Sequence, residues 1–92
     1  MIRSFRHRGL KRLHDDDDAR LIRHDLLDKI RTVLVHLDEA GVVEDMRLPG
    51  FRLHALKGQR KGYWSVTVRA NWRIIFRFEG GDAHDLELVD YH

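Results

Sequence analysis

Two histidines, His54 and His92, stand close in context to a dense set of arginines and lysines, and that combination can do acid–base chemistry on an anion. An imidazole titrates near neutral pH, so it can accept a proton from one oxygen and deliver it to another. Guanidinium and ammonium groups can hold the negative charge that gathers on a phosphate under attack. Cleavage of RNA by its own 2′-hydroxyl needs a base, an acid for the leaving 5′-oxygen, and cations for the crowded phosphate, and these residue types supply all of them without a metal. Other chemistries find no matching set: there is no HExxH, no GxxxxGK[ST], no cysteine and no evident Ser-His-Asp arrangement.

The cations are concentrated in one stretch. Residues 47–78 contain Arg47, Arg52, Lys57, Arg60, Lys61, Arg69, Arg73 and Arg77 and not one Asp or Glu. Residues 1–14 are basic as well. Residues 15–46 carry ten acids against four bases, and residues 79–92 carry five acids and no Lys or Arg. The formal net charge of +2 therefore hides an internal segment that either repels itself or faces an anion.

The elements that must position these groups follow from periodicity. Residues 2–5 read as a short first strand, and Leu10 and Leu13 are spaced for one helical face. The run Asp15, Asp16, Asp17, Asp18 fits the N-cap and first turn of a helix, where carboxylates meet the positive end of its dipole. Ile22, Leu26, Ile30, Val33, Leu34 and Leu37 then recur at three- and four-residue steps, predicting one long helix over 17–40, with Gly41 as its left-handed C-cap. Pro49-Gly50 breaks the pattern, and the period becomes two. A short strand over 51–56 leads into a loop at 57–62. Strands follow at 63–69, 72–79 and 84–91, joined by the turns Ala70-Asn71 and Gly80-Gly81, with Asn71 tolerating a positive φ. Trp64, Val66, Val68, Trp72, Ile74, Phe76 and Phe78 make an apolar face. Arg69, Arg73 and Arg77 point the other way, and Tyr63 and Tyr91 are the better candidates for stacking on a base. Asp90 and His92 share the parity of Leu86 and Leu88, so the last strand must twist, bulge or end for them to reach the basic surface.

The expected architecture is a two-layer α+β fold, an N-terminal strand and helices packed on one face of a small, mainly antiparallel sheet. The 92 residues allow a single domain, 1–92, with one modest core. Absence of Cys, of any apolar run near the ~20 residues of a membrane span, and of an apolar segment after the basic N-terminus reads as a cytoplasmic protein with no membrane contact.

Several separated motifs occur in a distinctive order: Ile-Arg-Ser-Phe-Arg-His-Arg-Gly-Leu at the start, Leu-His-Ala-Leu-Lys-Gly in the middle, Asn-Trp-Arg at 71–73, and a terminal Asp-Tyr-His. In these the chain resembles HigB-type toxins of the RelE superfamily along essentially its whole length, with only the helical pattern shared over 14–46. The resemblance implies the RelE-like fold and a ribosome-dependent endoribonuclease that cleaves translated mRNA in the A site, against the 16S rRNA. It also implies neutralisation by a HigA-type helix-turn-helix antitoxin, no cofactor, and a monomer when free. The family's catalytic positions fall on His54, Lys57, Arg73, Asp90, Tyr91 and His92. The two histidines would transfer protons or orient the phosphate, Lys57 and Arg73 would neutralise it, Tyr91 would stack on or position a base, and Asp90 would orient or assist. Arg60, Lys61, Tyr63, Arg69 and Arg77 are the expected RNA-binding residues. The chain departs from the family in the loop Gln59-Arg60-Lys61, which often carries acids there. Two other readings stand beside this one, a ParE-like toxin that binds DNA gyrase and a non-catalytic RNA-binding module, neither of which has need of two titratable imidazoles in a basic setting.

Overall fold

The computed structural model describes residues 1–91. Two helices, α1 (Arg8–Asp16) and α2 (Leu27–Glu39), pack on one face of a four-stranded antiparallel sheet made of β1 (His54–Ala55), β2 (Tyr63–Arg69), β3 (Trp72–Glu79) and β4 (Asp82–Asp90), in that spatial order. Leu10, Leu13, Leu26, Ile30, Val33, Leu34 and Leu37 from the helical layer meet Val66, Val68, Ile74, Phe76, Ala83 and Leu86 from the sheet in one apolar core. The expected α+β, two-layer arrangement is the one observed. Among the described residues no helix is long and apolar enough to cross a membrane.

The helical layer departs from the single helix expected over 17–40. The four aspartates end a helix instead of starting one. Asp15 and Asp16 close α1, Asp17 adopts the left-handed conformation at φ 53°, and its N–H bonds back to the Leu13 carbonyl at 3.1 Å. Aspartate tolerates that conformation better than most side chains. The acids at this unfavourable end of a helix dipole are offset by bases: Lys11 pairs with Asp15 at 2.7 Å, and Arg31 of α2 pairs with Asp17. Asp18 accepts from the Arg20 guanidinium at 2.8 and 2.9 Å, which holds its carboxyl far below the usual range. The N-terminus of α1 is capped by His7, whose Nδ1 accepts from the Leu10 N–H at 3.1 Å. Residues 17–26 are turns and one short 3₁₀ segment (His24–Leu26). They still bury Ile22 and Leu26, so the apolar spacing is satisfied without a continuous helix. Gly9 permits this, because a Cβ there would lie 2.9 Å from the His7 ring and 3.1 Å from Ile22.

Smaller differences follow. Gly41 is not a left-handed cap; Ala40 ends α2 in an extended conformation, and the Asp45 carboxylate accepts from the Gly41 N–H at 2.9 Å. The expected first strand is reduced to two parallel bridges, Ile2 with Ala83 and Phe5 with Leu86, along the outer edge of β4. The strand expected over 51–56 keeps only His54–Ala55. In the β2–β3 turn it is Ala70, not Asn71, that has the positive φ.

Register decides which side chains share the open face of the sheet. His54, Ser65, Ile75 and Glu87 form one row across all four strands. Thr67, Arg73 and Val89 form the next row, and Tyr63, Arg77 and His84 lie on the other side of the first. Two irregularities interrupt the alternation. One lies between Thr67 and Arg69, so that Arg69 pairs with Trp72 on the helical side. The other lies between Ile75 and Arg77, opposite Asp85, which has φ 56°.

Candidate functional site

The open face carries a concavity of about 430 Å³ lined by Arg52, His54, Leu56, Ser65, Thr67, Arg73 and Tyr91. Strand β1 presents His54, exposed and directly opposite Ser65. Arg73 stands in the next row beside Thr67, and its guanidinium donates to the Ala70 carbonyl at 2.6 Å and the Trp72 carbonyl at 3.2 Å. Those bonds anchor the cation on the β2–β3 turn, and among the described residues its charge has no carboxylate partner. Tyr91 follows β4, and its N–H bonds to the Asn71 carbonyl at 2.8 Å, which brings the ring to the rim.

Arg60 reaches Tyr91 from the 3₁₀ turn Gly58–Arg60. Its guanidinium carbon lies 5.6 Å from the centre of the tyrosine ring, and Nη1 donates to the Tyr91 hydroxyl at 3.3 Å. A cation over an exposed ring contributes about 0.5–1 kcal/mol. The loop over 57–62 and the end of β4, distant in sequence, are thereby joined at the mouth of the concavity. Lys57 directly follows Leu56 and is exposed, as is Lys61.

The basic segment divides into two groups. Arg47 pairs with Glu44, Arg69 with Asp25 at 3.6 Å, and Arg77 with Asp85 at 2.9 Å and Glu79 at 2.7 Å. Among the described residues no carboxylate pairs with Arg52, Lys57, Arg60, Lys61 or Arg73, and all five belong to the concavity, its rim or the adjoining loop. Arg77 also shapes its partner: its hydrogen bond, helped by one from Ser4, holds Asp85 below the usual carboxylate pKa despite partial burial.

Measured against the expected site, His54, Arg73 and Tyr91 are brought together, and Lys57 and Arg60 flank them. Arg69 is a correction. The irregularity after Thr67 turns it off the open face and toward Asp25 of the helical layer. Tyr63 and Arg77 share the open face but stand at its far end, where Arg77 is neutralised. Asp90 is exposed, pairs with Trp72 in register, and is not among the residues lining the concavity. His92 lies outside the described residues. Sequence reasoning assigned no role to Arg52, Leu56, Ser65 or Thr67. Their signal was present as the parity of 52, 54 and 56 on one strand and of 65 and 67 on the next.

Comparison with known proteins agrees with the motif order. A family model described as "RelE-like toxin of type II toxin-antitoxin system HigB" matches residues 3–92. A Proteus vulgaris protein named Endoribonuclease HigB is 45% identical over 92 residues, all of both chains. A Vibrio cholerae serotype O1 protein named Toxin HigB-1 is 33% identical over 85 residues, 90% of each chain.

Proposed function

Because the chain belongs to the HigB family of RelE-like toxins of type II toxin–antitoxin systems, we propose that it is an endoribonuclease that cleaves translated mRNA in the ribosomal A site. The observation that carries this reading is the gathering of unneutralised cations, an exposed imidazole and a clamped tyrosine around one concavity. Backbone phosphates are drawn to such a surface wherever its own acids are absent. The 2′-oxygen of the nucleotide attacks its own 3′-phosphate, a cyclic phosphate forms, and the 5′-oxygen leaves with a proton. His54 and His92 are the pair that would take and return that proton, with Asp90 orienting or assisting. Arg73 and Lys57 offset the charge on the non-bridging oxygens, and Tyr91 offers its ring to a base. Arg60 holds the tyrosine and, with Lys61, is placed to meet RNA backbone. Such chemistry draws its charge stabilisation from guanidinium and ammonium groups and so proceeds without a metal. A type II toxin implies an antitoxin partner, here of the HigA helix-turn-helix kind.

Primer extension on translating ribosomes tests this. The parent should cut mRNA on ribosomes and leave the same naked transcript intact, and added antitoxin should stop the cutting. His54→Ala, Arg73→Ala and His92→Ala should each lower the rate by about 10²-fold or more. Undiminished cleavage in all three would remove the site from this concavity. Inhibition of DNA gyrase in place of cleavage would favour the ParE-like reading.

A further inference from the structure

Arg52 has no role in the mechanism above, yet it lines the concavity, is exposed, and has no carboxylate partner among the described residues. Its backbone is unusual for a long side chain, with φ 50° in the left-handed region. Two fixed points impose that conformation. On one side the Pro49-Gly50 turn closes with the Phe51 N–H on the Leu48 carbonyl at 3.0 Å. On the other the Phe51 carbonyl accepts from the Thr67 N–H at 2.7 Å, while Phe51 and Leu53 are both buried in the core. Glycine would meet this requirement without strain, so an arginine here costs stability that no ion pair among the described residues recovers. Thr67, whose N–H is held by Phe51, lines the concavity together with Arg52 and faces Arg73 across the ladder. Arg52, Thr67 and Arg73 therefore line one concavity. Arg73 is held by backbone carbonyls, whereas the Arg52 guanidinium makes no hydrogen bond among the described residues.

We infer that Arg52 binds the RNA phosphate next to the one being cleaved, so that Arg52 and Arg73 together set the strand's register over His54. This rests on the nuclease reading of the concavity. Two cations in one concavity, on either side of β2, suit successive phosphates of a single strand better than one isolated anion.

The test pairs Arg52→Gly with Arg52→Lys. Glycine removes the cation and relieves the left-handed backbone, so its melting temperature should equal or exceed the parent's. Binding of a single-stranded oligoribonucleotide, made uncleavable by a 2′-deoxy sugar at the cut site, should weaken about 10-fold at moderate salt. The slope of log affinity against log salt should fall by about 0.7, the value for one phosphate contact on single-stranded nucleic acid. Arg52→Lys should keep the slope and lose only part of the affinity. On ribosomes Arg52→Gly should raise the toxin concentration needed for half-maximal cleavage and leave the saturated rate near the parent's. A parent that cleaves, together with an Arg52→Gly protein of unchanged slope and unchanged half-maximal concentration, would overturn this inference alone. A parent that neither binds nor cleaves RNA would overturn the nuclease reading and this inference with it.

Discussion

Arg73 and Arg77 stand four residues apart on the same face of the same strand, and their surroundings could hardly differ more. At the Arg77 end, Asp85 and Glu79 accept from the guanidinium, and the Ser4 hydroxyl, donating to the Asp85 carboxylate and accepting from the Asp85 N–H, completes a closed network. At the Arg73 end the neighbours are Arg52, His54, Thr67 and Tyr91, and among the described residues the guanidinium donates to backbone carbonyls. One half of the sheet face is self-satisfied and the other is left wanting an anion. The difference is produced by the irregularity opposite Asp85 in β4, which admits an extra residue and swings a carboxylate onto Arg77. Local charge density in the sequence is thus a poor guide to where a phosphate would bind. What counts is which cations the fold leaves without an acid.

The strongest way to break this contrast is to give the Arg73 end an acid of its own. Thr67→Asp, directly across the ladder from Arg73, should lower mRNA cleavage by about 10²-fold while leaving thermal stability unchanged or raised by up to about 1 kcal/mol through the new cross-strand pair. Thermal unfolding and primer extension on one preparation check both signs.

The converse change strips the Arg77 end. Asp85→Asn retains a side chain that tolerates positive φ but removes the charge, and it should cost about 1 kcal/mol. For a domain of this size that is a fall of roughly 4–8 °C in melting temperature. Cleavage per folded molecule should stay within about twofold of the parent.

Acid titration sharpens the same point. The Asp85 carboxyl has a folded pKa below its ordinary 3.8, so its stabilising contribution is fully present above that value and is lost as the pH falls through the lowered one. Unfolding free energy followed from pH 5 toward 2 should decline less steeply in Asp85→Asn than in the parent. An identical decline in both would dissociate the acid sensitivity from this pair. The smallest effect is reserved for Arg69→Ala. Because that side chain meets Asp25 on the helical layer, its removal should change cleavage by less than about twofold.

Much of this was legible beforehand. Tyr63–Arg69 and Trp72–Glu79 have the bounds that alternation and turn residues imply, and Val66, Val68, Ile74 and Phe76 are buried as their parity requires. What was hidden depends on single residues. The extra residue between Thr67 and Arg69 reverses the facing of Arg69 while leaving the apolar pattern ahead of it intact, so no periodicity reveals it. The aspartate run can start a helix or stop one, and the choice falls to tertiary partners such as Arg31, which lies 14 residues from Asp17. Arg52 shares the parity of His54 in the strand expected over 51–56, but alternation does not reveal its left-handed backbone ahead of a strand that keeps only two residues.

Ile75 remains to be accounted for. It is 2% exposed, yet it belongs to the open face, in the row with His54 and Ser65, away from the helices and the main core. Ser65 beside it is 5% exposed. A dry aliphatic group under the proposed phosphate site lowers the local dielectric response, and the attraction between a guanidinium and an anion grows in inverse proportion. On the proposed nuclease reading, the arginines bordering this floor would act on a bound phosphate with less competition from water than surface cations elsewhere, and the leverage would come from an aliphatic side chain.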